Sequence, residues 1–426
     1  MERLLQYIWK YRLYTDTELF TTEGFPVSVI DPGIQNTDAG PDFFNAKIRI
    51  AGDVWAGNVE IHLKASDWRL HGHDRNPAYD SVILHVVAEC DEPAHRTNGE
   101  MIPHAVIRVP PVMQQQMAWL LSRDTPLPCA ERIGEIDPLH VSAWINALLT
   151  ERLERKMQDV FALLEQYAND WHEVFYVTLA RTFGFGVNSD AFEWLARSLP
   201  FKYILKQRGN GLQIEALLFG QAGLLEEAHP DPYYRSLQRE YVFLRKKYGL
   251  QPRESHLVRC MRTRPVNFPH LRLAQLAAVW TNNDMLFSKA LECDDCHALR
   301  DDFNVSLPEY WDTHYHFQSA SPARKKKIGV HAAYIIMINT VVPVLFAYGR
   351  KNRMPAYGAR ALQILEKIPP ERNSVVSTFA KAGIEAHNAF DTQALIQLRR
   401  EYCEKKKCLY CRIGFRLLKS STPGEP

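Results

Sequence analysis

The run Trp55–Lys64, WAGNVEIHLK, alternates apolar and polar residues with a period of two. Side chains on a strand point to alternate faces, so Val59, Ile61 and Leu63 share an apolar face while Glu60, His62 and Lys64 share the other. At a rise of about 3.3 Å per residue, Glu60 and His62 stand about 7 Å apart on that polar face. Upstream, Gly40–Pro41–Asp42 puts a second carboxylate in a tight turn that leads into another strand-like run, Ala46–Ile50. Two acids converging at a sheet edge, with a protonatable or cationic group two residues beyond the second, suit metal-assisted phosphodiester hydrolysis. The carboxylates hold a hard cation such as Mg²⁺ or Mn²⁺, which activates water and stabilises charge on the phosphate. His62 or Lys64 then positions the water and offsets the developing charge. An ordinary amphipathic strand with its polar side in water shows the same alternation.

Past Lys64 the chain carries Asp67, His71, His73, Asp74 and Asp80, then His85 within VILHVV. His71-x-His73 together with His62 and Asp67 offers imidazole and carboxylate ligands for a transition metal. The same two histidines also suit contacts to a phosphate backbone, or to the ligands themselves as orienting partners. His85, in an apolar run, reads as a core histidine. Near the end, Cys403-x4-Cys408-x2-Cys411 has metal-ligand spacing for zinc or an iron–sulfur cluster within the basic segment Arg399–Lys419. Tetrahedral zinc needs a fourth ligand, for which Cys293 and Cys296 are the candidates; the alternative is ordinary reduced cysteines on a helix.

The elements that must position these groups fall into two classes. An opening helix, Glu2–Tyr11, precedes short strand-like runs at Val27–Asp31, Ala46–Ile50, Val54–Lys64, Ser81–Ala88 and Ala105–Val109, separated by Gly-, Pro- and Asp-rich turns. From Val112 onward, apolar residues recur with the helical period, as in Val141–Gln166, Trp171–Phe183, Tyr233–Tyr248, Leu271–Trp280 and Ala359–Ile368. The expected organisation is a small mixed-sheet α/β domain at 1–123, a Pro-containing linker at 124–138, and a larger all-α domain at 139–426, hence α+β overall.

Of 426 residues, 46% are hydrophobic and 23% charged, which excludes a disordered chain. Lys and Arg total 51 against 49 Asp and Glu, so the net charge of +2 recruits no nucleic acid by a global field. Binding to nucleic acid then falls to local clusters: Arg245–Lys247, Arg262 with Arg264, Arg324–Lys327 and Lys405–Lys407. Within RPVNFPHLRLAQLA (264–277), Arg264 and Arg272 either face such a ligand or fix the helix start. The N-terminal MERLLQYIWKYRLY lacks signal-peptide character, and the eight cysteines then suit a reducing compartment, so the expected location is the cytoplasm. Ala332–Gly349 approaches membrane length, but Asn339, Thr340 and Pro343 in its middle favour a buried, kinked helix, and no membrane association is expected. Walker-type, GxGxxG and GxSxG motifs are missing, which leaves no case for an ATPase, dehydrogenase or serine hydrolase.

Pro41–Asp42 followed by Glu60-x-His62, after a helix and a first strand, resembles the PD-(D/E)xK phosphodiesterases of restriction and repair nucleases. The resemblance implies a restriction-endonuclease-like mixed sheet flanked by helices, with Asp42 and Glu60 as ligands of one or two Mg²⁺ ions. It also implies a helix-borne acid, either Glu18 on the segment Asp16–Phe20 or Glu23. His62 stands where that family has lysine, and Lys64 lies on the same face one step further. As a whole the chain resembles domain-of-unknown-function family 2851, through NTDAGPDFFNAKI (36–48), WAGNVEIHLKASDWRLHGHD (55–74), VILHVV (82–87), RPVNFPHLRLAQLA (264–277) and CEKKKCLYCRIG (403–414). That resemblance implies a domain layout and no activity. Three readings follow: a metal-dependent nuclease, a catalytically inactive scaffold that binds nucleic acid or protein, and a metalloenzyme acting on a non-nucleic substrate through the histidine-rich loop.

Overall fold

A computed structural model describes the chain except residues 15–17, 37, 253–257, 262, 284 and 420–426. Asp16 and Arg262 therefore lie outside the described residues. The chain forms two compact units: Met1–Trp144 with Lys381–Gly383 and Leu398–Pro426, and Ile145–Ala380 with Ile384–Gln397. An N-terminal mixed sheet and a mainly helical remainder make the fold α+β. The division falls after Trp144, inside the helix Pro138–Gln166 rather than within 124–138. The C-terminal segment, grouped from sequence with the helices, returns to the first unit. Its last helix, Arg412–Lys419, buries Ile413, Leu417 and Leu418, and its Phe415 ring packs 6.0 Å from Tyr7 and 5.2 Å from Tyr11.

The first unit opens with α1 (Glu2–Tyr11), whose Leu4, Leu5, Tyr7, Ile8 and Trp9 are buried. Fully burying an apolar side chain of this size stabilises the fold by about 1.5–3 kcal/mol. A seven-stranded sheet follows: β1 (Leu19–Phe20), β2 (Pro26–Asp31), β3 (Ile34–Gln35), β4 (Phe43–Ile50), β5 (Asp53–Lys64), β6 (Val82–Glu89) and β7 (His104–Val106), in the order β1-β2-β4-β5-β6-β7 with β3 beside β4. Strands β1, β2, β4 and β5 run antiparallel, and β5, β6 and β7 run parallel. Ala51 and Gly52, at φ 53° and 101°, close the tight β4–β5 hairpin. The parallel β5–β6 pair needs a crossover, and the segment between them holds α2 (Asp67–Leu70) and short turns carrying His71 and His73.

The second unit is helical, with buried aromatic residues such as Phe175, Tyr176, Phe219, Tyr241 and Trp311. The segment Val330–Lys351 is the one helix among the described residues long and apolar enough to cross a membrane, but 72% of its apolar window is buried in the protein, as for a core helix. It widens into a π turn at Met337–Val341 just before Pro343, where the missing proline N–H interrupts the regular ladder. On the helix Gly211–Gln221, Glu215 is 1% exposed, and its carboxylate oxygens accept from Trp311 Nε1 at 2.9 Å and from the Tyr233 hydroxyl at 3.0 Å. Burial pushes its carboxyl up to about 7, against the opposing pull of those two donors.

A folded-state pKa above the unfolded value means that the unfolded chain deprotonates first, so Glu215 contributes most below its unfolded value and costs stability as pH rises toward 7. The slope is about 1.4 kcal/mol per pH unit over that window. Glu215→Gln, which keeps an oxygen for Trp311 and loses the charge, is expected to remove a decline on the order of 2–3 kcal/mol between about pH 5 and pH 8. Urea unfolding of wild type and variant at both pH values measures it. Parallel pH profiles for the two proteins would remove Glu215 as the cause.

Candidate metal centre

The register between β4 and β5 slips by one residue. Ala46 pairs with Gly57, but Phe43 pairs with Val59, and Asn45 takes the extra position at φ 55°. Without that bulge Asp42 would stand opposite Ile61, on the other face. With it Asp42 stands opposite Glu60, and side chains of directly opposed residues share a face. Asp42 N–H donates to Glu60 Oε2 at 2.9 Å, and Asp42 Oδ2 accepts from the Ile61 N–H at 3.1 Å. From α1, Gln6 Nε2 donates to Asp42 Oδ1 at 2.8 Å, and Glu2, one turn earlier, adds negative charge nearby. Burial first, then Glu60, pushes the Asp42 carboxyl up to about 7. The pair resists carrying two negative charges side by side, a cost that a cation between them removes.

Three imidazoles complete the cluster. Along β5 the residues from Val59 to His62 are buried on both faces, so the polar face of this strand is an interior surface. His62 Nε2 lies 3.6 Å from Glu60 Oε1 and 3.1 Å from His71 Nδ1. His73 Nε2 lies 3.4 Å from the same Glu60 oxygen, and its ring stacks on Tyr79 with centroids 3.7 Å apart. Gly72, at φ 75°, adopts the left-handed conformation that a glycine takes without strain, so both flanking histidines turn toward His62. The ligand atoms of His62, His71 and His73 all lie within 4.8 Å of one another, with His71 exposed and the others buried.

Those spacings have a chemical meaning. Nitrogen and oxygen ligands at about 2.0–2.1 Å from a tetrahedral ion sit about 3.3–3.4 Å from each other. Glu60 Oε1, His62 Nε2, His71 Nδ1 and His73 Nε2 show edges of 3.1, 3.4 and 3.6 Å. Burial first, then His71 and His73, holds His62 down to about 3, so it presents the neutral imidazole that a metal requires. Its other nitrogen, Nδ1, contacts Nε2 of the fully buried His85 at 2.9 Å. Such a contact fixes the tautomer and orientation of a ligating ring.

The sequence-derived residues divide clearly. Asp42, Glu60, His62, His71 and His73 come together, and His85, read as a core histidine, backs His62. Lys64 is exposed at the end of β5 and pairs with Glu89 at 3.5 Å. Asp67 accepts the Lys64 N–H at 3.1 Å. Glu18 and Glu23 are exposed loop residues beside β1, so neither is the helix-borne acid; the acid on the helix is Glu2. Glu2 and Gln6 were missed, although two polar residues one turn apart on a largely buried helix were the available signal. Arg264 is exposed in the second unit. Arg272, in the same unit, is 6% exposed, donates to Gln275 at 2.8 Å and to Asn267 at 2.5 Å, and stacks 3.8 Å from the Phe185 ring. It fixes the helix start and offers no free guanidinium to a phosphate. Cys293 and Cys296 belong to the second unit, whereas Cys403, Cys408 and Cys411 belong to the first.

Residues 2–374 match the family described as protein of unknown function, DUF2851. No curated protein and no solved structure matches the chain.

The geometry predicts one tightly held transition-metal ion per chain. Calorimetric titration with Zn²⁺ or Mn²⁺ is expected to show that Glu60→Ala and His62→Ala abolish this binding. His85→Ala, which touches no ligand position, is expected to weaken it by about 10–100-fold by freeing the His62 ring. Wild-type affinity in Glu60→Ala would remove the centre.

Proposed function

We propose that this chain, which belongs to the DUF2851 family, is a metal-dependent phosphodiesterase with a nuclease-like N-terminal unit, acting on nucleic acid. The observation that carries the reading is the set of four donor atoms, Glu60 Oε1 and one nitrogen each of His62, His71 and His73, gathered beside the raised carboxyl of Asp42. A bound divalent ion at such a set lowers the pKa of a coordinated water and stabilises charge on a phosphoryl oxygen. Asp42, near neutrality in its proton affinity, takes the proton from the attacking water, and Gln6 and the Ile61 N–H hold its carboxyl in place. Arg69 and Arg75, exposed on either side of His71 in the crossover segment, give an anionic substrate a local cationic rim.

The likeness to PD-(D/E)xK enzymes supports this assignment through Pro41–Asp42 and Glu60 on adjacent strands of a mixed sheet with a helix packed on it. His62 replaces the usual lysine and becomes a ligand. With two further imidazoles present, the preferred ion shifts from Mg²⁺ toward Zn²⁺, Mn²⁺ or Fe²⁺. One observation favours the alternative of a binding scaffold without turnover: the protein itself supplies four donors, and structural metal sites are closed in this way, while catalytic ones keep a position open.

The test is cleavage of labelled single- and double-stranded DNA and RNA by protein loaded with Mn²⁺ or Zn²⁺. Wild type is expected to cleave, and Asp42→Asn, which preserves the metal ligands, is expected to lose roughly 10²–10³-fold. A metal-loaded wild type that cleaves none of the four substrates establishes the scaffold reading.

A further inference from the structure

The first unit contains four half-buried or buried thiols that the centre above does not use: Cys129, Cys403, Cys408 and Cys411. They come from two distant stretches of chain. Cys129 precedes the short helical turn Ala130–Glu135, with the Arg132 N–H donating to its carbonyl at 3.0 Å. The other three lie in the C-terminal segment that folds back onto this unit. The four sense one another's charge: Cys129 is affected by Cys411 and Cys408, and Cys403 by Cys411, Cys129 and Cys408. Burial leads and the neighbouring thiols add, so that Cys129 is pushed up to about 12 and Cys408 to about 11.

The local backbone is built to present these sulfurs. Cys411 N–H donates to the Cys408 carbonyl at 3.2 Å, closing a C-x-x-C knuckle. A side chain at Gly414 would meet that carbonyl at 2.1 Å, so only glycine lets the following helix start so close. The backbone N–H groups of Ile413 and Gly414 favour the Cys411 thiolate, as does the Trp144 side chain. Trp144 is 6% exposed and its indole Nε1 is left without a full hydrogen-bond partner, a buried donor directed at Cys411. Arg399 beside Cys403 and Lys406 beside Cys408 add positive charge that suits thiolates.

We infer that Cys129, Cys403, Cys408 and Cys411 form a four-thiolate site for an iron–sulfur cluster, with Cys129 as the ligand that completes the C-terminal C-x4-C-x2-C. Bonds of about 2.3 Å to a single zinc ion would hold tetrahedral sulfurs about 3.8 Å apart. Among the described residues, the group of three or more ligand atoms mutually within 4.8 Å is that of His62, His71 and His73, so no three of these thiols are drawn together as a single ion requires. The wider spacing suits a polynuclear core held by cysteine thiolates. On ligation each S–H bond breaks, its proton passes to solvent and an Fe–S bond replaces it, which turns four buried neutral thiols into ligands and ties the C-terminal segment to the stretch before α-helical residues 138–166.

The full-length protein is purified anaerobically, and its visible absorption, iron and acid-labile sulfide are measured before and after reconstitution with iron and sulfide. The expected result is a coloured protein with about four iron and four sulfide per chain, bleached by dithionite. In Cys129→Ser and Cys408→Ser the iron content drops several-fold, while Cys90→Ser, an exposed thiol elsewhere in the unit, retains it. A colourless protein with stoichiometric zinc, or one that stays metal-free through reconstitution, overturns the cluster. Full colour in Cys129→Ser overturns its place as the fourth ligand. The wild-type spectrum decides the first point even where a variant fails to fold.

Discussion

Burying several polar groups in one place is the constraint around which the N-terminal unit is arranged. Glu60 and His62 are 5% and 2% exposed, His73 is 8%, and the half-buried Asp42 adjoins them. An isolated ionised carboxylate in such a place costs several kcal/mol or more unless it is paired. The unit meets that cost with directed partners: the Ile61 and Asp42 backbone N–H groups, the Gln6 amide, and imidazoles that His85 and Tyr79 hold in place. The carboxylates and imidazoles still leave more acceptors than donors, an imbalance that a divalent cation corrects. The bulge at Asn45 makes this arrangement possible, because a register shifted by one residue moves Asp42 to the opposite face.

Much of this was visible in the chain and some of it could not be. Alternation placed Glu60 and His62 on one face of β5, and Pro41–Asp42 marked the second acid. The histidine-rich segment was recognisable as a source of metal ligands because His71 and His73 follow the strand so closely. Alternation does not reveal whether a polar face looks into water or into protein, since that depends on what packs over it. Here α1 and the crossover segment are among the elements that cover it, and Lys64 alone runs out into solvent. The bulge was also hidden: Asn45 is an ordinary polar residue in a strand, and its positive φ follows from pairing with β5. Cys129 was invisible for a related reason. A lone cysteine in a Pro-containing stretch has no spacing to read, and only the return of the C-terminal segment brings it to its partners.

The second unit shows the converse, in which a chemically suggestive sequence turns out to pack. RPVNFPHLRLAQLA has the look of a ligand-binding turn and helix, yet its Arg272 guanidinium lies against Phe185 and bonds Asn267 and Gln275. Burial lowers the Arg272 pKa to about 10, which still leaves it charged at neutral pH. The run Arg324–Lys327 behaves partly the same way: Lys326 is 7% exposed and its ammonium is spent on the carbonyls of Trp311 and Asp312, at 2.7 and 2.6 Å. A cationic cluster counts toward nucleic-acid affinity only through the charges it leaves in solvent, and both clusters leave fewer than their sequences suggest.

Whether the metal centre turns over substrate then depends on His71. Of the four donors around Glu60 it is the exposed one, it reaches His62 through Nδ1, and it sits on a short segment next to Gly72. Buried His73 is clamped by the Tyr79 stack, and His62 by His85, so neither ring leaves its position without breaking packed contacts. Displacing His71 costs only a solvent-exposed contact, and it opens a coordination position that faces water and the cationic rim of Arg69 and Arg75. A three-ligand set of Glu60, His62 and His73 with that position open has the composition of a hydrolytic site. With His71 in place the same residues make a closed, structural one. The difference between enzyme and scaffold in this unit is therefore a single imidazole at the surface.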